Sequence, residues 1–122
     1  MSALPPADLP LPDVRYRYQT LELGDMAIHV RTLWDQSQFS DAGGASARLG
    51  ISSAAWPLFG LIWASGEVLA RLMVTQDIAG KRILEVGCGI GLASLVLNQR
   101  MADITATDIH PEAGRFILEN TR

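Results

Sequence analysis

The stretch ILEVGCGIGLAS, residues 83–94, places three glycines within five positions, between one apolar run and the next. A chain that leaves a strand and enters a helix over so short a span must bend sharply, and glycine takes the dihedrals such a bend requires. The bend aims the helix's first backbone N–H groups, and the positive end of its dipole, at whatever lies above the sheet edge. Gly87, Gly89 and Gly91 carry no Cβ, so a ligand can lie almost against the backbone at the carboxyl ends of the strands, where open α/β sheets bind ligands. One motif thus predicts a fold class and a ligand shelf together.

The flanks extend the pattern. RILEV reads as a short apolar strand bounded by Gly80 and Gly87, and LASLVLNQRM as a helix clustering Leu92, Leu95, Val96 and Met101. ITATDI alternates and is β-branched, as a second strand should be. Pro111 in a first helical turn, followed by Glu112, opens EAGRFILENTR, where Ala113, Phe116 and Ile117 recur at helical spacing. Strand, helix, strand, helix with such short connections predicts parallel strands joined by a right-handed crossover, one edge of a doubly wound α/β sheet.

Upstream the chain is less regular. Residues 1–13 contain four prolines and no basic start, so they read as a disordered or extended leader and not as a signal peptide. Residues 14–35 read as a β-hairpin turning at Gly24 and Asp25, with Tyr16, Tyr18 and Thr20 sharing one face and Ile28, Val30 and Thr32 on the partner strand. Residues 36–55, rich in Gly, Ala and Ser, read as a long connection. Residues 56–122 read as the N-terminal part of one domain. Within it Ser65 is expected to cap a helix whose Val68, Leu69, Leu72 and Met73 share a face, with Glu67 and Arg71 outward, ending before Asp77.

Composition narrows the partners. At 122 residues and 48% hydrophobic the chain suffices for one domain with a core, and its net charge of −3 offers no basic footprint for nucleic acid or anionic lipid. The longest uncharged apolar stretch, residues 54–66, is too short for a membrane span and is broken by Pro57 and Gly60. A single cysteine, Cys88, excludes an internal disulfide and a multi-cysteine zinc site, and fits a reducing compartment. The expectation is a cytoplasmic protein with small or neutral partners, no membrane, no nucleic acid and no metal.

The choice of ligand follows from the carboxylates. The dinucleotide fingerprint GxGxxG fails because Leu92 occupies the third glycine's place, and the phosphate-binding GxxxxGK[ST] is absent. Glu85, two residues before Gly87, suits an ammonium or sulfonium better than a pyrophosphate. Asp108, at the end of the second strand, can accept hydrogen bonds from both hydroxyls of a ribose. The pair frames a nucleoside that carries a cation.

LEVGCGIGLAS followed by TATDIHPEA resembles the first two motifs of the Rossmann-like, class I S-adenosylmethionine-dependent methyltransferases. FGLIWASGEVLARLM followed by GKRILEVGCG resembles the seven-β-strand branch that includes protein lysine methyltransferases and nicotinamide N-methyltransferase-like enzymes, with Ala64 where that branch commonly has a proline. The resemblance covers roughly residues 59–122. It implies S-adenosyl-L-methionine as cofactor, with Glu85 at its methionine end, Gly87, Cys88, Gly89 and Gly91 lining it, Asp108 on the ribose and Ile109 on the adenine. Trp63 is implied to border the methionine moiety or the methyl channel. The implied reaction is in-line methyl transfer to an acceptor, a nitrogen of a protein side chain such as lysine or a small amine. Acceptor-binding and catalytic groups are expected beyond Arg122, because only the first two parallel strands of a seven-strand sheet are recognisable and one sheet edge is left open.

Plainer readings stand beside these. Glycines at a strand-to-helix turn can serve packing alone, Asp108 can be a turn acid, and Trp56 and Trp63 can be core. Cys88 can be a small apolar filler, His110 a turn residue before Pro111, and His29 a solvated strand position. A noncatalytic cofactor-binding or interaction module would carry the same glycine loop; an NAD-linked oxidoreductase fits poorly without the third glycine.

Overall fold

The structure, a computed structural model, describes residues 2–3, 15–34, 48–50 and 60–121. Most of the leader, most of the Gly/Ala/Ser connection, and Trp56 lie outside the described residues. The elements are β1 (Ser2–Ala3), β2 (Tyr16–Leu23), β3 (Met26–Leu33), α1 (Ala64–Thr75), β4 (Arg82–Val86), α2 (Leu92–Gln99), β5 (Asp103–Thr107) and α3 (Ala113–Asn120). The chain is mixed α/β, with a small parallel sheet and a separate hairpin.

The strand–helix–strand–helix order is present as read. β4 and β5 pair in parallel from Arg82 opposite Asp103 to Val86 opposite Thr107, and α2 joins them. Ile104 and Ala106 of β5 are buried, and on β4 Ile83 and Glu85 share the half-buried face. Leu84 and Val86 point the other way and are 61% and 76% exposed, so that face of β4 is apolar and uncovered among the described residues. The other edge of β5 pairs in parallel with Ser2–Ala3, a third strand contributed by the leader. The leader is therefore extended at this point, because the open edge of β5 offers unpaired backbone groups to any extended segment.

α2 is the centre of the core. Leu92 to Leu97 are all buried, since the helix is enclosed by α1, β5 and β3. Such a helix, apolar on every side, is stable only with partners all round. The α3 residues Ala113, Phe116 and Ile117 are buried as their spacing predicts.

The hairpin turns at Gly24 and Asp25, with Gly24 at φ +61° in the Gly-first position of a two-residue loop. Its inward face differs from the reading. Ile28, Val30 and Thr32 are buried opposite Leu21, Gln19 and Arg17, whereas Tyr18 and Thr20 lie opposite Arg31 and His29 on the outer side. His29 is exposed as expected and lies 2.7 Å from the Thr20 hydroxyl. Tyr16 meets Phe116 edge-on at 5.7 Å, and the Arg31 guanidinium covers both rings, 4.4 and 5.1 Å from their centroids. Asn120 completes the joint: its Oδ1 accepts the Arg31 backbone N–H at 2.6 Å and its Nδ2 donates to the Arg31 carbonyl at 3.0 Å. One side chain thus satisfies both backbone groups of an edge-strand residue.

Three expectations need correction. Ser65 is not the cap of α1: the helix starts at Ala64, Trp63 is the N-cap residue, and no side chain caps it. Val68, Leu69 and Leu72 are exposed, and the inward stripe is Gly66, Ala70, Met73 and Val74. Ala70 is fully buried where α1 packs against α2, and Met73 and Val74 pack against the same core. Met101 is not part of the α2 cluster; it lies past the helix end at φ +62° and is 90% exposed.

Candidate functional site

The glycine bend, the end of β5 and the start of α1 meet around a cavity of about 310 Å³. That volume falls at the lower end of the range for small-molecule sites. Glu85, Gly87, Cys88, Gly89, Asp108, Ile109 and Trp63 all line it, so seven of the eight residues expected there are brought together. Gly91 is not among them. It is buried at the N-cap of α2 with φ +72°, where an added Cβ would collide with Ile117 Cδ1 and stand 3.1 Å from its Cγ1. Left-handed backbone and the close approach of Ile117 both favour glycine at this position.

Gly87 has the opposite surroundings. At φ +64° an added Cβ would meet nothing within 4 Å, so the space beside it is open. The loop that follows is held by backbone bonds: the Cys88 N–H donates to the Thr107 carbonyl at 2.9 Å, and the Gly91 N–H to the Cys88 carbonyl at 2.8 Å. These bonds fix the height of the loop above β5.

Asp108 ties the loop to the end of β5. One carboxylate oxygen accepts the Gly89 N–H at 2.7 Å and the other accepts the His110 N–H at 2.8 Å. An ionised carboxylate has about four acceptor sites, so two backbone bonds leave roughly one lone pair on each oxygen. Asp108 can therefore brace the loop and still accept two hydroxyls.

Glu85 faces the start of α2. The Ser94 hydroxyl donates to its Oε1 at 2.5 Å, and the Ser94 backbone N–H also bonds to the carboxylate. Burial pushes the Glu85 carboxyl above its usual range; the Ser94 bonds pull it back and the Asp108 charge adds to the rise. Burial likewise raises the Cys88 thiol to about 12, helped by the Asp108 and Glu85 charges, so Cys88 is an inert thiol here.

Two residues at the site escaped the sequence reading. Ser94 is fully buried and supplies the partner that a carboxylate in an apolar strand needs. His110 is buried and lines the cavity, and its Nδ1 accepts the Glu112 N–H at 3.1 Å, which puts the proton of a neutral ring on Nε2. Among the described residues no group of three His, Cys, Asp or Glu side chains could hold a metal ion, and no helix is long and apolar enough to cross a membrane.

An α/β unit with a cavity across the carboxyl ends of two parallel strands, walled by a glycine loop and two carboxylates, is the class that the fold and site define. Two curated proteins match parts of the chain. A magnesium-protoporphyrin O-methyltransferase of Rhodobacter capsulatus is 42% identical over 45 residues, 37% of this chain and 19% of its own length. An electron transfer flavoprotein beta subunit lysine methyltransferase of Xenopus laevis is 33% identical over 67 residues, 52% of this chain and 27% of its own length. The chain thus spans about a fifth to a quarter of the relatives it matches, and both are methyltransferases. No family model and no solved structure matches it.

Proposed function

We propose that this chain carries the cofactor-binding half of an S-adenosyl-L-methionine-dependent methyltransferase with a class I, Rossmann-like sheet, acting on a nitrogen of a protein side chain such as lysine. The observation that carries the reading is the convergence of Glu85, Gly87, Gly89 and Asp108 on one cavity, across two strands and the turn between them. Both partial relatives are methyltransferases, and one of them, a lysine methyltransferase, suggests the lysine acceptor.

The residues fit the cofactor by their chemistry. The open space beside Gly87 admits a ligand against the backbone, and Glu85 offers a negative charge to its ammonium or sulfonium. Asp108 keeps one free acceptor site per oxygen for vicinal ribose hydroxyls, and Ile109, 69% exposed at the cavity, offers an apolar surface for the adenine. When bound, the cofactor supplies a methyl group on a sulfonium sulfur for in-line attack by the acceptor. This chain's residues contribute binding, orientation and shielding from water, which is where rate enhancement in such a displacement arises. The acceptor nitrogen attacks as the neutral amine, so a base must take its proton first.

Replacing Gly87 by Val tests the reading. The new side chain enters the open space and must also adopt a positive φ, so S-adenosylhomocysteine affinity measured by calorimetry should fall by at least tenfold. Unchanged affinity in a folded variant would remove the glycine shelf from the account.

A further inference from the structure

We propose that the cleft between the hairpin and the start of α1 receives the methyl acceptor, and that it selects a side-chain ammonium flanked by carboxylates, such as a lysine in an acidic peptide. The inference rests on reading the strand-end cavity as the cofactor site. The cleft, about 450 Å³, shares Leu61, Ile62 and Trp63 with that cavity, so the two spaces have a common wall. Its far wall comes from the hairpin, through Arg17 and Trp34.

The charges in this cleft are ordered. Trp63, 48% exposed, borders both spaces, and Glu67 lines the cleft one helical turn further along α1. An indole face and a carboxylate both attract an ammonium group, the first by cation–π attraction and the second by charge. On the hairpin side the Arg15 and Arg17 guanidiniums lie 5.8 and 5.7 Å from the Trp34 ring centroid, two cations over one indole that is 50% exposed. Two like charges gathered on one ring favour an anion beside them and repel a third cation. Trp63 therefore stands at the wall shared with the cofactor cavity, with Glu67 one turn away inside the cleft, and Arg17 stands on the hairpin wall. A lysine whose neighbours are acidic matches that order; a lysine among basic neighbours opposes it.

The test follows the Trp34 and Trp63 indole N–H signals of the isotope-labelled chain by NMR, first with S-adenosylhomocysteine and then with three probes. These are a peptide with lysine between aspartates, the same peptide with arginines for aspartates, and n-butylamine. The acidic peptide should shift both indoles and bind at least tenfold more tightly than the basic peptide or the amine. Arg15→Glu with Arg17→Glu, both at exposed positions, should reverse the peptide preference without altering S-adenosylhomocysteine binding. Equal binding of the two peptides, an amine that binds as tightly as the acidic peptide, or a Trp34 signal that does not move would overturn the proposal. S-adenosylhomocysteine that leaves Gly87 and Gly89 unshifted would instead overturn the cofactor reading on which it rests.

Discussion

Replacing Asp108 by Asn separates two roles that the carboxylate combines. A residue that only reads a ribose would lose affinity on substitution and leave stability alone, and Asn, retaining one carbonyl, would keep part of the binding. The loop geometry dictates otherwise. The two carboxylate oxygens accept from two different backbone donors, Gly89 N–H at 2.7 Å and His110 N–H at 2.8 Å. An Asn amide has one acceptor oxygen; whichever donor meets the NH₂ group loses its partner and faces a second donor. Hydrogen bonds to a charged group contribute about 1.5–3 kcal/mol each, so Asp108→Asn should cost the fold roughly that amount. Affinity should fall with it, because the glycine loop is no longer held at its height over β5. Denaturant unfolding and S-adenosylhomocysteine calorimetry on the same preparations make the comparison. A variant within about 0.5 kcal/mol of the parent in stability, a surface-substitution effect, would refute the bracing role.

Gly91→Ala should destabilise by about 2–5 kcal/mol, combining positive-φ strain with overpacking, and Ile117→Val, which removes the colliding Cδ1, should recover part of the loss in a double-mutant cycle; additive effects would show that the contact is not the cause. Glu85 gives a pH dependence of opposite sign for fold and ligand. Its carboxyl is raised above the usual 4.5 by burial, so its contribution to stability is full below that value and is lost as the pH rises through the raised folded value. A cationic ligand needs the ionised form, so affinity should rise over the same window, and Glu85→Gln should flatten the affinity slope; a slope that survives the substitution assigns it elsewhere. Glu112, also raised by burial and opposed by Arg115, contributes to stability with the same sign, which Glu112→Gln isolates in unfolding measurements.

What could be read from sequence was what depends on local period and short connections. β4, α2, β5 and α3 follow from alternation, helical spacing and glycine boundaries, and the parallel pairing follows from the length of the crossover. The clustering of Glu85, Gly87, Gly89 and Asp108 was legible because both carboxylates sit at fixed offsets from strand ends that the sheet brings side by side. Gly91 stands outside the cavity, where sequence alone is ambiguous, because ligand approach and close helix packing both favour a glycine and the position of Ile117 is set by the fold. Ser94 and His110 depend on contacts made by the fold: a hydroxyl on α2 reaches a carboxylate on β4, and a loop histidine is covered. The inward face of α1 is legible only at Met73, because side-chain bulk does not mark burial here: the helix buries Ala70 against α2 and leaves Leu72 outside.

The position at which a nucleoside ligand settles tests the glycine shelf most directly. Titrating S-adenosylhomocysteine into the labelled chain, with NAD and ATP as comparison ligands, should shift the amides of Gly87, Gly89, Asp108 and Ile109 and leave the outer face of the hairpin around Tyr18 and His29 unmoved, with S-adenosylhomocysteine preferred over both other nucleotides. Shifts confined to other surfaces, or NAD binding to the same loop as tightly, would contradict it.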